Sequence, residues 1–256
     1  MTRDRRHVRE AREALLEGIG IPEPRPFVPD EFQLEAIHSL AEGNDTLVIA
    51  PTGAGKTYIA VEAISRIIQD KKRAVYTAPL KALSNAKYAE FKQRFEPTHR
   101  VGLLTGDRKI EGDADVVVAT TEIYRNELYS LRETYSLVVL DEFHYLADAQ
   151  RGPVWEESVI LSPSSATLLM LSASISNAEE IAEWIKEIRH RPLTIVRIIE
   201  RPVELRLGFL HPDVGVVPLE HEGRLLPEIA QFYSGERERR GHFRMRRRRG
   251  GGGRRR

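Results

Sequence analysis

Six residues have the types and spacing to handle a polyphosphate and a divalent cation: Gly53, Gly55, Lys56, Thr57, Asp141 and Glu142. The first four lie in the run Ala50-Pro51-Thr52-Gly53-Ala54-Gly55-Lys56-Thr57. Glycines there let the backbone curl so that successive N–H groups converge on an anion. A helix after such a loop turns its positive end to the same anion, so the pattern requires strand, loop and helix in that order. The apolar run 46–50 and the helical pattern 58–68 supply both flanks. In this setting the run reads as a Walker A phosphate loop, with Ala50 in place of the usual first glycine. Lys56 would reach the outer phosphates and Thr57 would hold Mg²⁺. Asp141 and Glu142 close a second apolar run, 137–140, in a Walker B arrangement. Asp141 would act on the Mg²⁺, usually through its water shell, and Glu142 would polarise an attacking water. Paired acids after a strand are common on surfaces, and it is the phosphate loop that makes this pair specific.

These side chains need a frame that brings distant stretches together. Apolar, strand-like runs recur at 74–78, 101–104, 116–119, 137–140, 168–171 and 194–198, and helical patterns at 81–95, 123–131, 154–161 and 178–188. Near-continuous apolar strands alternating with helices predict an α/β fold, a central parallel sheet covered by helices on both faces. Ligands bind such sheets at the carboxyl ends of the strands, which is where each candidate segment falls. Upstream, a helix-compatible stretch at 8–16 precedes Pro22, Pro24, Pro26 and Pro29, which stiffen the chain around Phe27. Asp30 then reads as a helix N-cap with Gln33 completing a capping box. A glutamine just upstream of a phosphate loop can also read the edge of an adenine, and spacing does not choose between these roles. Past Ile199, a strand-like run at 203–210 is broken by Pro212, Gly215 and Pro218, and a short helix at 225–232 follows. There is no internal repeat.

Asp141-Glu142-Phe143-His144 is the box of superfamily 2 DExH helicases, and the chain resembles their superkiller-type RNA helicase branch. Phe27 and Phe32-Gln33 resemble its adenine-reading motif, Pro79-Leu-Lys-Ala-Leu-Ser84 its motif Ia, Leu104-Thr-Gly-Asp107 the turn that follows, and Thr120-Thr-Glu-Ile123 motif Ib. Arg151-Gly-Pro-Val-Trp-Glu-Glu157 is similar to a segment of this branch, as are the stretches 176–184 and Arg201-Pro-Val-Glu-Leu205. Leu171-Ser-Ala-Ser174 occupies motif III, with Ser174 where threonine is usual. The resemblance covers about residues 25–210 and implies a RecA-like P-loop NTPase domain that uses ATP and Mg²⁺. It implies contacts from Pro79, Lys81, Thr105, Gly106, Thr120, Thr121 and Glu122 to the phosphates of a single strand of RNA, with DNA as the alternative. On their own, the last five would read as turn and helix-cap residues. It also implies that Ser172, Ala173 and Ser174 link the Mg²⁺ site to movement against a second domain, and that His144 lies at the nucleotide end of that interface. Read alone, the two serines could cap a helix and His144 could be a core histidine.

Charge and composition set the remaining bounds. The net charge of +1 conceals eleven arginines against two glutamates between 235 and 256, so the rest of the chain is mildly acidic. That tail reads either as an arginine–glycine arm attracted to phosphate or as the product of a shifted reading frame. The absence of cysteine rules out disulfides and thiolate metal sites, and no apolar run approaches about 18 residues, so a soluble, cytoplasmic protein with no membrane partner is expected. The expected layout is a charged lead-in at 1–24, the ATP-binding domain at 25–200, a linker or truncated second domain at 201–234, and the tail. No Gln-x-x-Gly-Arg-x-Gly-Arg segment occurs, so the arginine finger of a second motor domain is missing. Slow turnover is therefore expected unless another chain supplies that domain in trans. The competing readings are a DNA helicase and a non-catalytic, nucleotide-gated nucleic-acid binder.

Overall fold

The computed structural model describes residues 6–17, 26–130, 135–200, 206–221 and 223–234. Pro22, Pro24, the end of the 123–131 helix, the motif at 201–205 and the basic tail lie outside the described residues. Two compact units are present, one spanning Phe27–Val203 and the other combining the two ends of the chain.

The larger unit is built on an eight-stranded sheet. Seven strands run parallel: β1 (Asp45–Ile49), β2 (Ala74–Ala78), β3 (Val101–Thr105), β5 (Val116–Thr120), β6 (Leu137–Leu140), β7 (Thr167–Ser172) and β8 (Leu193–Arg197). The eighth, β4 (Arg108–Ile110), pairs antiparallel at one edge, and the order is β4-β3-β5-β2-β6-β7-β1-β8. The predicted parallel sheet flanked by helices is thus present, with one antiparallel edge strand, β4, that the pattern did not reveal. Strand side chains alternate between two cores, as the period of two demands. Tyr76 and Val139 join one core and Val75, Val138 and Leu140 the other. Helices α2 (Glu31–Ala41), α3 (Lys56–Gln69) and α4 (Lys81–Phe95) cover the first face with Ile37, Ile59, Ile64 and Phe91. Helices α5 (Thr121–Ser130), α6 (Gly152–Leu161) and α7 (Ala178–Arg189) cover the second with Tyr124, Trp155, Val159 and Ile185. Burial on both sides explains why the strands read as unbroken apolar runs.

At the amino ends of β1 and β7, Asp45 and Arg189 form a buried ion pair, with Oδ2 accepting from Nε at 2.7 Å. Asp45 Oδ1 accepts the Leu168 N–H at 2.8 Å, and the Arg189 guanidinium donates to the carbonyls of Ser162 at 2.8 Å and Ala166 at 2.7 Å. One polar cluster thus pins β1, β7 and the end of α7, leaving the carboxyl ends of the strands for the site.

In the smaller unit, α1 (Arg6–Leu16) packs Val8 and Ala11 against Val217, Leu226 and Ile229. The expected 203–210 strand is seen as β9 (Gly208–His211), paired antiparallel with β10 (Gly215–Pro218). Pro212 opens a hairpin turn at 212–214 and Gly215, at φ +74°, starts β10, so these residues join two strands instead of merely breaking a run. Strands β11 (Glu220–His221) and β12 (Arg224–Leu225) pair next, so the predicted helix starts two residues late and covers 227–234.

Candidate nucleotide and nucleic-acid site

The phosphate loop links β1 to α3. Gly53 and Gly55 adopt left-handed φ values of +88° and +81°, a region that costs other residues free energy. Lys56 Nζ donates to the carbonyls of Ala50 at 2.6 Å and Pro51 at 3.1 Å, folding its charge over the loop. Burial lowers the pKa of this ammonium, while Glu142 and Asp141 pull in the opposite direction, which puts both acids near the loop. Gln33 joins the same region. Its Oε1 accepts the Asp30 N–H at 2.9 Å, as a capping box requires, and its Nε2 donates to the carbonyls of Ala54 and Gly55, both at 3.3 Å. A Cβ on Gly55 would lie 2.5 Å from that Nε2 and would push the Gln33 amide aside, so the glycine, required by its φ, also leaves room for this contact. An adenine edge would compete for an amide that is 2% exposed and engaged at both ends. Phe27 is 66% exposed and lies 4.7 Å, centroid to centroid, from Tyr58, a residue the sequence pattern had not singled out.

β6 lies two strands from β1, across β7, and delivers Asp141 and Glu142 to the same rim. Asp141 Oδ1 accepts the Glu142 N–H at 2.9 Å, and its Oδ2 accepts the Tyr76 hydroxyl at 2.6 Å. Burial, then the neighbouring Asp141 charge, holds the Tyr76 hydroxyl well above its ordinary pKa, so it remains a donor. Glu142 sits at φ +52°, an uncommon region for a non-glycine residue that recurs at functional sites. Thr57 Oγ1 accepts from Lys87 Nζ at 3.1 Å. These residues fit a Mg²⁺-bound nucleoside triphosphate: the loop offers two left-handed glycines and Lys56, and Thr57 and Asp141 offer hard oxygen donors. Among the described residues no cluster of three or more acids or histidines could hold a metal, so phosphates and water would complete its coordination.

The residues expected on a single strand lie after β2, β3 and β5, which are neighbours in the sheet. Lys81 is exposed, and its Nζ lies 3.1 Å from Asp107 Oδ1, which also accepts from Thr105 Oγ1 at 2.9 Å. A Cβ on Gly106 would approach the Lys81 side chain at 3.7 Å, so Lys81, Thr105 and Gly106 converge. Pro79 is half-buried, and Glu122 is exposed in the first turn of α5. Thr120 and Thr121 are buried, and Thr121 Oγ1 points to Thr77 Oγ1 at 3.5 Å. The Thr121 hydroxyl therefore faces inward, and a phosphate contact from this residue would come through the α5 backbone amides.

Three of the expected coupling residues, His144, Ala173 and Ser174, line a cleft of about 530 Å³ with Pro51, Phe143 and Arg197, of which Arg197 was not foreseen. Ser172 is buried and donates to the Ser174 carbonyl at 3.3 Å, while its own carbonyl accepts the Ala50 N–H at 3.0 Å. β7 therefore touches the phosphate loop directly. His144, in the 3₁₀ turn Phe143–Ala147, has Nδ1 3.3 Å from Glu142 Oε2 and stacks on Tyr145, which stacks on Trp155 of α6. Arg151 covers the Tyr145 ring at 5.0 Å. Gly152 permits this approach, since a Cβ there would lie 2.5 Å from the Leu146 carbonyl oxygen.

A sheet of this order, with a phosphate loop after one strand and paired acids after a near neighbour, defines a RecA-like helicase-fold domain. Residues 30–181 match the DEAD/DEAH box helicase model, and the chain belongs to that family. It is 42% identical over 185 residues to "DExH-box ATP-dependent RNA helicase DExH9" of Arabidopsis thaliana, covering 71% of this chain and 18% of that protein. It is 39% identical over 194 residues to "Antiviral helicase SKI2" of Saccharomyces cerevisiae, covering 73% of this chain and 15% of that one. The chain thus spans less than a fifth of the length of these relatives. Among solved structures, a crystal structure of the DUF1998 helicase MrfA bound to DNA matches with a TM-score of 0.55 at 21% identity, covering 73% of this chain and 29% of that one. No helix among the described residues is long and apolar enough to cross a membrane.

Proposed function

We propose that this chain carries the first motor domain of a DExH-type ATP-dependent RNA helicase, binding ATP with Mg²⁺ at the phosphate loop and a single strand across the rim beside it. The observation that carries this is the placement of Lys56, Thr57, Asp141 and Glu142 on one rim of the sheet, at the ends of strands separated only by β7, in a chain of this family. Bound Mg²⁺ would neutralise charge on the transferring phosphoryl group. The protein's share is to exchange the Lys56 contacts to Ala50 and Pro51 for phosphate, to hold the metal's side with Thr57 and Asp141, and to orient water with Glu142. Phe27, with Tyr58, would stack on the base, and Gln33 would read its edge by giving up its loop contacts. Lys81, Thr105, Gly106 and the start of α5 would follow a phosphate backbone, which favours neither sequence nor sugar strongly. The relatives named as RNA helicases support RNA over DNA. His144 and Ser172 to Ser174 would pass the state of the site to a second domain across the shared cleft. A chain without cysteine suits a reducing, cytoplasmic setting.

The test is nucleotide binding and ATP hydrolysis with RNA, with single-stranded DNA and with no polymer. Wild type should bind a fluorescent ATP analogue. Lys56→Ala should weaken binding about tenfold or more, since a hydrogen bond to a charged group is worth about 1.5–3 kcal/mol. Glu142→Gln should bind but not hydrolyse. An arginine finger contributes about 10³–10⁵ in rate, and residues 1–256 hold no Gln-x-x-Gly-Arg-x-Gly-Arg segment to supply one, so turnover by these residues alone should be slow. Binding indifferent to Lys56→Ala would sink the nucleotide reading. Robust RNA-stimulated hydrolysis would sink only the claim of slow turnover.

A further inference from the structure

Both oxygens assigned to the metal already have protein donors on them. Asp141 Oδ2 accepts from Tyr76, and Thr57 Oγ1 accepts from Lys87 Nζ. The Lys87 ammonium is held from other sides too: it donates to Glu90 Oε2 at 2.8 Å and lies 6.0 Å from the Tyr76 ring centroid. Its side chain is only 22% exposed, on the α4 face that also turns Ser84 and Phe91 inward. Lys56 points the other way, to the Ala50 and Pro51 carbonyls, so the two lysines serve different ends of the loop.

We propose that Lys87 is a positioning residue of this site, a stand-in cation that holds the Thr57 hydroxyl until Mg²⁺ arrives with nucleotide. The inference rests on the nucleotide reading above. A threonine hydroxyl has two lone pairs and one proton, so an ammonium and a divalent cation on one oxygen stand close together. Water screens their repulsion only in part, because Thr57 is half-buried and the Lys87 side chain is 22% exposed. Metal entry therefore displaces Lys87, and Glu90, already its partner, receives it. α4 starts at Lys81, so the same exchange ties the metal site to the helix that opens the nucleic-acid rim.

The experiment is binding of a fluorescent ATP analogue to the full chain, titrated with Mg²⁺. Lys87→Met should lower the Mg²⁺ midpoint by about fivefold or more, the low end of coupling between two binding events. Lys87→Gln, which keeps a donor without the charge, should do the same and serves if the first variant melts early. Glu90→Gln removes the receiving partner and should raise the midpoint. An unchanged midpoint in folded Lys87 variants overturns the inference. So does a loss of affinity that is equal at every Mg²⁺ concentration, the mark of a phosphate contact or a purely structural role. If wild type itself shows no Mg²⁺-dependent binding, the nucleotide reading fails and takes this inference with it.

Discussion

Tyr76 illustrates how one atom can carry function in a residue that otherwise belongs to the core. Its ring packs edge-on against Phe91 at 5.2 Å, while its hydroxyl donates to Asp141. Tyr76→Phe keeps the ring and removes the donor. The variant should stay folded but lose about 1–2 kcal/mol in urea denaturation, less than the full value of a bond to a charge because half-buried Asp141 can recruit water. A variant as stable as wild type would mean that the bond contributes nothing. Gly53, Gly55, Lys56 and Thr57 were legible in the sequence because their chemistry is local and fixed by spacing. Tyr76 and Lys87 were not, because they reach the acids and Thr57 from β2 and α4 through packing. In a strand as buried as β2, a tyrosine reads as core. Gln33 was half legible: the cap was foreseen, but its contacts to Ala54 and Gly55 join segments 21 and 22 residues apart.

At the scale of elements, the parallel strands were readable because burial on both faces leaves unbroken apolar runs. The edge strand β4 was not, being three residues long and mostly exposed. One signal did point to it. Gly102 interrupts an otherwise apolar strand, and such a glycine marks a close backbone approach. Here a Cβ would lie 2.1 Å from the carbonyl oxygen of Glu111, the residue that follows β4. Gly102→Ala must displace that backbone, and overpacking of this kind costs about 1–3 kcal/mol. The expected result is lost hydrogen-exchange protection in 101–111 with nucleotide binding unaltered, because the strands that bear the loop and the acids lie elsewhere in the sheet. Protection unchanged in 101–111 would contradict the clash. Arg189 taught the opposite lesson. A basic residue in the last turn of a helix reads as a surface partner of the dipole. It is 4% exposed and paired with Asp45, 144 residues away, which local pattern cannot reveal.

At the scale of the whole molecule, the two units differ in what sustains them. Residues 27–203 hold an eight-stranded sheet between two apolar cores. The other unit joins α1 to a segment more than 190 residues later, through Val8 and Ala11 against Val217, Leu226 and Ile229 and a His7–Glu228 contact at 2.8 Å. Its sheets are two isolated pairs, β9 with β10 and β11 with β12. A lone two-stranded pair is marginal in water, so this unit depends on the apolar face that α1 supplies. Each of the larger side chains buried there, Val8, Val217, Leu226 and Ile229, contributes about 1.5–3 kcal/mol, set against about 1–2 kcal/mol of backbone entropy for every residue ordered. Deleting residues 1–17 should tip that balance. Limited trypsin digestion should then cut 206–234 at its two tryptic sites, Arg206 and Arg224, and leave a resistant core near 27–203. That core should keep a cooperative melt and the nucleotide affinity of the full chain. Protection of 206–234 without α1 would show that the late segment folds by itself. Loss of nucleotide binding would show that the ends of the chain support the site as well as each other.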